Sequence, residues 1–202
     1  MDTSKSLLEK AKDDPKSDAW FELIRIYEPL ISGWIVRAGV EQSEVGDISQ
    51  EVFQTMSREL EAFEHNGRTG AFRNWLKTTT IYRCRRYWES KKRRAGLSES
   101  DDGADVLNQL ADSNSELSKT WDNEHDHYVI QRILKLVERE FEPKSFEVFV
   151  RYVLKDESPE MLASKYEIPV GQVYKIKFRV MKRLRQEADE LVNIQGYFEK
   201  KR

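Results

Sequence analysis

The chain has 202 residues, of which 39% are hydrophobic and 35% charged, with a formal net charge of −2; this fits one large or two small water-facing domains and excludes a low-complexity chain. Cys84 is the single cysteine, which excludes a disulfide framework and a cysteine-based zinc site. The N-terminus, MDTSKSLLEKAKDDPKSD, lacks a signal-peptide core, and no apolar run is long enough for a bilayer, so a cytoplasmic protein without membrane insertion is expected.

In chain order, residues 1–16 read as polar and fraying, with at most a short turn around Leu7 and Leu8. Asp18 is the expected N-cap of a first helix in which Trp20, Leu23, Ile24, Tyr27, Ile31, Trp34 and Ile35 recur at helical steps. Pro29 predicts a kink or break near Glu28, and Gly39 ends the segment. A second helix, starting near Ser43 or Asp47, carries one apolar stripe of Ile48, Val52, Phe53, Met56, Leu60 and Phe63. Gln50, Glu51, Gln54 and Arg58 lie opposite that stripe. A loop over 64–70, with two glycines and an asparagine, leads into a third helix from Phe72 to Arg94.

Sparse apolar residues and abundant Ser, Asp, Asn and Gly predict a flexible acidic linker over 95–123, with at most one transient turn at Val106, Leu107 and Leu110. Periodicity resumes near Glu124, and Pro143 marks the start of another helix. Asp156 or Ser158 can cap a short helix that opens on Pro159, turns at Glu167-Ile168-Pro169, and gives way to a longer helix from Val170 to about Leu191. That longer helix is expected to bury Val173, Ile176 or Phe178, Val180 and Leu184, with Val173, Phe178 and Leu184 packing inside the motif. A short helix, a tight turn and a Lys/Arg-rich helix form a helix-turn-helix pattern. The expected fold is therefore all-α, with two small helical domains at 18–94 and 124–192 joined by the acidic linker.

Charge is strongly segregated along this chain. Residues 68–94 hold ten basic residues and one acid, 95–126 nine acids and one base, and 174–185 six basic residues and no acid. Two positive segments flanking a negative one point to two contact surfaces for a polyanion. From Phe72 to Arg94 nine basic residues interleave with five aromatics, Phe72, Trp75, Tyr82, Tyr87 and Trp88. Cations suit phosphates and flat rings suit unstacked bases, although an amphipathic helix with a solvated charged face has the same composition. Phe72 and Trp75 share the apolar stripe and are expected in the core, leaving Tyr82, Tyr87 and Trp88 as stacking candidates and Arg83, Arg85, Arg86, Lys91, Lys92, Arg93 and Arg94 for phosphates.

Three stretches in this order carry a resemblance: Asp47-Ile48-Ser49-Gln50-Glu51-Val52-Phe53; Phe72-Arg73-Asn74-Trp75-Leu76 followed by Arg93-Arg94; and Ser158 to Gly171 with Val173 and Lys182-Arg183-Leu184. Together they resemble the extracytoplasmic-function type of bacterial RNA polymerase sigma factor, over about Ala19 to Arg185. Where members of that family often carry Asn and Asp, this chain has Tyr82 and Arg86, and Glu167 stands where many helix-turn-helix turns place Gly.

The resemblance implies a transcription initiation factor with two partners, core RNA polymerase and promoter DNA, and an anti-sigma factor as a third. Asp47, Gln50, Glu51 and Gln54 would bind a charged coiled coil of the core, although composition alone also allows an ordinary solvated face. Asn66, Arg68 and Thr69 would hold a flipped base of the −10 element, with Tyr82, Arg83, Arg86, Tyr87, Trp88 and Lys91 on the melted strand. In the duplex −35 element, Gln172, Tyr174 and Lys175 would reach base edges, with Lys177, Arg179, Lys182 and Arg183 on phosphates. The acidic linker would either lie in a positive channel of the polymerase or serve as a plain tether.

Catalysis by this chain is not expected: His65, His125, His127 and Cys84 form no nucleophile–base pattern and no zinc-ligand spacing, and no cofactor is implied. The alternative to an initiation factor is a helix-turn-helix regulator acting without core polymerase. Such a regulator has no need of the Gln50-Glu51 helix paired with the aromatic-basic helix.

Overall fold

A computed structural model of the chain describes residues 6–14, 16–63, 70–95, 104–188 and 191–199. Every regular element among the described residues is an α-helix, in agreement with the all-α expectation.

The first helix, α1 (Leu7–Asp13), is more than a turn. Ser6 and Glu9 form a reciprocal capping box, the hydroxyl accepting the Glu9 N–H at 3.2 Å and the carboxylate accepting the Ser6 N–H at 2.7 Å. Leu7, Leu8 and Ala11 are then buried, which packs α1 on α2 (Asp18–Arg37). Ser17, one residue before the expected Asp18, caps α2 by accepting the Trp20 N–H at 3.3 Å. Pro29 neither breaks nor ends α2. Its ring and Arg25, whose carbonyl loses a helical donor, both face solvent, while Ile26, Tyr27, Leu30 and Ile31 hold the helix to the core on either side.

The bundle is completed by α3 (Val45–Glu59) and α4 (Ala71–Ala95). Val45, Ile48, Val52 and Met56 of α3 face Phe72, Leu76, Cys84, Tyr87 and Trp88 of α4 across a continuous core. Gly39, at φ +79, brings the chain so close to Trp88 that a Cβ there would sit 3.3 Å from the indole. The same indole donates its N–H to the Ala38 carbonyl at 3.1 Å, sealing the C-terminal end of α2.

The acidic stretch differs from the expected flexible linker. Residues 104–111 form α5 (Ala104–Ala111), and α6 (Glu116–Glu138) begins eight residues before Glu124, capped by Ser115. Leu107 and Leu110 bury against α4, and Trp121 stacks obliquely on Trp34 with ring centroids 4.7 Å apart. Two of its acids, Asp122 and Asp126, meet buried or half-buried cations of the first bundle. Arg73 binds Asp126 at 2.6 Å and Asp122 at 3.3 Å, and Lys77 binds Asp122 at 3.0 Å and Ser118 at 2.8 Å. Arg37 adds a more exposed pair with Glu124 at 2.8 Å. Those cations lie more than forty residues upstream of their partners, so local composition could not show the pairing.

Beyond α6, helices α7 (Pro143–Leu154), α8 (Pro159–Tyr166) and α9 (Val170–Ala188) pack on one another, and α10 (Ile194–Glu199) lies against α9. α6 packs on α2 and α4 on one side and on α9 on the other, and α1 reaches α9, where Lys10 pairs with Glu187 at 3.5 Å.

Candidate functional site

Helix α4 is divided among several tasks by its angular faces. Its core face holds Phe72, Leu76, Cys84, Tyr87 and Trp88; Arg73 and Lys77 are committed to α6. Arg85 reaches Asn108 of α5 at 3.1 Å, and Tyr82, 54% exposed, lines a shallow depression with Ile81, Arg85 and Leu110. The face toward α3 carries Arg83, Arg86 and Arg94.

Of the residues expected at a melted −10 strand, two are corrected outright. Tyr87 and Trp88 are each only 9% exposed and stack edge-on at 5.2 Å within the core, so neither offers a ring face to a base. The aromatic-basic composition did not reveal that Trp88 is needed at the α2 corner. Arg83 is a third departure: its guanidinium is engaged within the protein, donating to Glu51 at 3.2 Å and to the Thr55 hydroxyl at 2.6 Å. Lys91 pairs with Glu41 at 2.5 Å and lies over the Trp88 ring at 5.1 Å. That hydrogen bond holds the Glu41 carboxyl below its ordinary pKa and the Lys91 ammonium above its own. Tyr82 and Arg86 remain exposed. Asn66, Arg68 and Thr69 lie outside the described residues.

Asp47, Gln50, Glu51 and Gln54 are all exposed along one side of α3, because the stripe of Val45, Ile48, Val52 and Met56 turns the opposite side inward. Asp47, Glu51, Gln54 and Arg58 line one wall of a polar groove of about 510 Å³, and Arg83, Arg86 and Arg94 of α4 line the other.

The second surface is built by α8 and α9. Ser158 caps α8 by accepting the Met161 N–H at 3.2 Å, with Pro159 at the first helical position. Glu167 closes α8 in the left-handed region, at φ 53 and ψ 48, a conformation that glycine usually supplies. Its backbone N–H reaches the Ala163 and Ser164 carbonyls, so the turn forms without Gly. Val173, Ile176, Val180 and Leu184 bury one side of α9. Gln172, Tyr174, Lys175 and Arg179 gather on the other, around an open depression of about 370 Å³.

Phe178 belongs to that exposed set and not to the core, at 67% exposed. Ile176 takes the inward position in its place, a choice that alternating apolar residues on a basic helix left open. Lys182 is exposed, Lys177 lies over the Tyr152 ring at 5.1 Å, and Arg179 lies 5.9 Å from the Phe141 ring centroid. Arg183 is turned away from this face, bridging Glu140 at 2.6 Å and Glu187 at 2.6 Å, and those bonds raise its pKa further.

No group of His, Cys, Asp and Glu suited to a metal ion occurs among the described residues, and no described helix is long and apolar enough to cross a membrane. Burial pushes the Cys84 thiol up to about 12, leaving it protonated and unreactive. The described surfaces are thus suited to recognition: a mixed-charge groove on α3 and α4, an exposed tyrosine on α4, and a basic, partly aromatic face on α9.

Residues 23–94 match the family model described as sigma-70 region 2, a span that runs from Leu23 in α2 through α3 to Arg94 in α4. No curated protein matches the chain.

Proposed function

We propose that this chain, which belongs to the sigma-70 family through its region 2 at residues 23–94, is an initiation factor of the extracytoplasmic-function type, with α3 docking on core RNA polymerase and α9 reading duplex DNA at the −35 element. Membership of that family already implies polymerase binding and promoter recognition. The division of labour between the two helices is the finer reading. One observation carries it: the region 2 match is followed, in the same chain, by a capped helix-turn-helix whose second helix gathers Gln172, Tyr174, Lys175, Phe178 and Arg179 on one open face.

A major groove about 12 Å wide admits such a helix, and Gln is suited to adenine while an apolar ring suits the thymine methyl. Lys175, Arg179 and Lys182 would add the salt-dependent phosphate contacts. On α4, Tyr82 is an exposed ring, and it would stack on a melted strand.

Run-off transcription tests the reading. The purified chain, added to core RNA polymerase, should start transcripts at discrete sites on genomic fragments. Core polymerase that gains no promoter-specific initiation in its presence would refute it. Replacing both Gln50 and Glu51 with Ala should weaken core binding while DNA binding by the α8–α9 unit persists.

A further inference from the structure

We infer that the groove between α3 and α4, and not the α3 face alone, seats a polar helix of core RNA polymerase that carries basic side chains toward α3 and an acidic side chain toward Arg86. This rests on the reading of α3 as the polymerase-docking helix and extends it to α4.

The two walls differ in net charge. Glu44, Asp47 and Glu51 stand with one cation, Arg58, on the α3 side, Arg83, Arg86 and Arg94 on the α4 side, and the whole groove of about 510 Å³ is open to solvent. Its floor is fixed by Arg83, whose side chain is only 15% exposed. The guanidinium donates to the Glu51 carboxylate at 3.2 Å and to the Thr55 hydroxyl at 2.6 Å, and Thr55 in turn donates to the Glu51 backbone carbonyl at 3.0 Å. Glu51 is therefore held at a set position while its own side chain stays 54% exposed and open to a second cation. Pre-setting a carboxylate removes part of the ordering cost of binding.

Arg86 is exposed and has no ion pair among the described residues. Sequence reading places it on a phosphate. A DNA backbone entering this groove would bring its charge against Asp47 and Glu51 on the facing wall, and like charges so opposed are unfavourable. A protein segment bearing both signs satisfies both walls at once. Arg83 acts as a positioning residue, and Arg86 is the second contact.

The full-length chain, fluorescently labelled at its N-terminus, is titrated with core RNA polymerase without DNA, and affinity is read by anisotropy at two salt concentrations. Arg86→Glu should weaken binding about tenfold or more, Glu51→Arg likewise, and Arg86→Gln by less, with a shallower salt dependence. Arg83→Gln should weaken binding several-fold, partly restored in Arg83→Lys. Lys135→Glu, the same charge change on an exposed part of α6, should bind as the parent does. Unchanged thermal unfolding of Arg86→Gln excludes misfolding as the cause.

If Arg86→Glu and Arg86→Gln bind core as tightly as the parent, while their holoenzymes lose affinity for a single-stranded −10 oligonucleotide, Arg86 is a DNA contact and the inference is overturned. Glu51→Arg would still lose core affinity in that case, and the docking role of α3 would stand. Unchanged core affinity in Glu51→Arg would remove that role and the inference with it.

Discussion

Tyr27 and His125 share a hydrogen bond of 3.2 Å in the fully buried seam between α2 and α6. The imidazole Nδ1 lies 3.0 Å from Asp126, which also accepts from Arg73 at 2.6 Å. The network assigns the neutral tautomer in which Nδ1–H donates to Asp126 and Nε2 accepts from the tyrosine hydroxyl. Burial drives the Tyr27 pKa far up, so the phenol keeps its proton to donate. Burial likewise holds His125 below its ordinary 6.5, outweighing the upward pull of Asp126.

A pH dependence of stability follows from that depressed value. The unfolded histidine takes up a proton near 6.5, and the folded one only at lower pH. Its contribution is complete above the unfolded value and is lost as pH falls through the window beneath it. The melting temperature should drop between pH 7.5 and 5.5. His125→Gln should melt lower at pH 7.5 but lose less on acidification, as followed by circular dichroism. An identical pH profile in that variant would rule out His125 as the source.

Trp88 and Tyr82 should separate cleanly in mutation. Trp88→Ala removes a buried indole and its bond to Ala38, and should cost about 3–5 kcal/mol of stability. Tyr82→Ala should leave stability within about 0.5 kcal/mol. It should weaken strand opening by about 1–3 kcal/mol if the ring stacks on a base. Permanganate reactivity of promoter thymines reads the second effect, and full melting by Tyr82→Ala would remove the stacking role.

Phe178 and Val173 make a parallel pair on α9. Phe178→Ala should keep the fold and lose affinity for −35 duplex DNA in electrophoretic shift assays. Val173→Ala, at a fully buried position, should lower the unfolding free energy by about 2 kcal/mol in chemical denaturation. Undiminished DNA affinity in Phe178→Ala would take that ring out of the recognition face.

Lys77 tests the seam between α4 and α6. Its ammonium is nearly buried between Ser118 and Asp122, and Lys77→Ala should cost about 2 kcal/mol, moderated because Asp122 is partly exposed. Joint replacement of Lys77 by Met and Asp122 by Leu should recover much of that loss. Equal destabilisation by the single and double variants would contradict the pairing.

The sequence made the helices legible where one apolar stripe stood alone, as in α3 with Ile48, Val52 and Met56, or where caps were explicit, as at Ser158-Pro159. It also grouped Asp47, Gln50, Glu51 and Gln54 on one polar helix face, whereas the depression that Gln172, Tyr174, Lys175 and Arg179 share became visible only in the fold. It failed where a residue's partner lies far along the chain. Asp122 fell in the expected linker and Asp126 just beyond it, and nothing local to either pointed to Arg73 and Lys77 as partners. Tyr87 and Trp88 sit among cations and so resembled a stacking surface, although Gly39 and Ala38 claim the indole. Pro29 does not break α2, because it lies on the solvent-facing side while Ile26, Tyr27, Leu30 and Ile31 hold the helix to the core.

Helix α6 has a mechanical consequence. Its 23 residues run unbroken from the contacts with Arg73 and Lys77 to the neighbourhood of α9, a shaft of roughly 35 Å at 1.5 Å per residue. Lengthening it by one residue in the middle would turn everything beyond by about 100° and carry the face of Tyr174 and Phe178 to a different azimuth. Four inserted residues would nearly restore the angle while shifting that face by about 6 Å. The pitch of one helix thus sets the phase between the two surfaces.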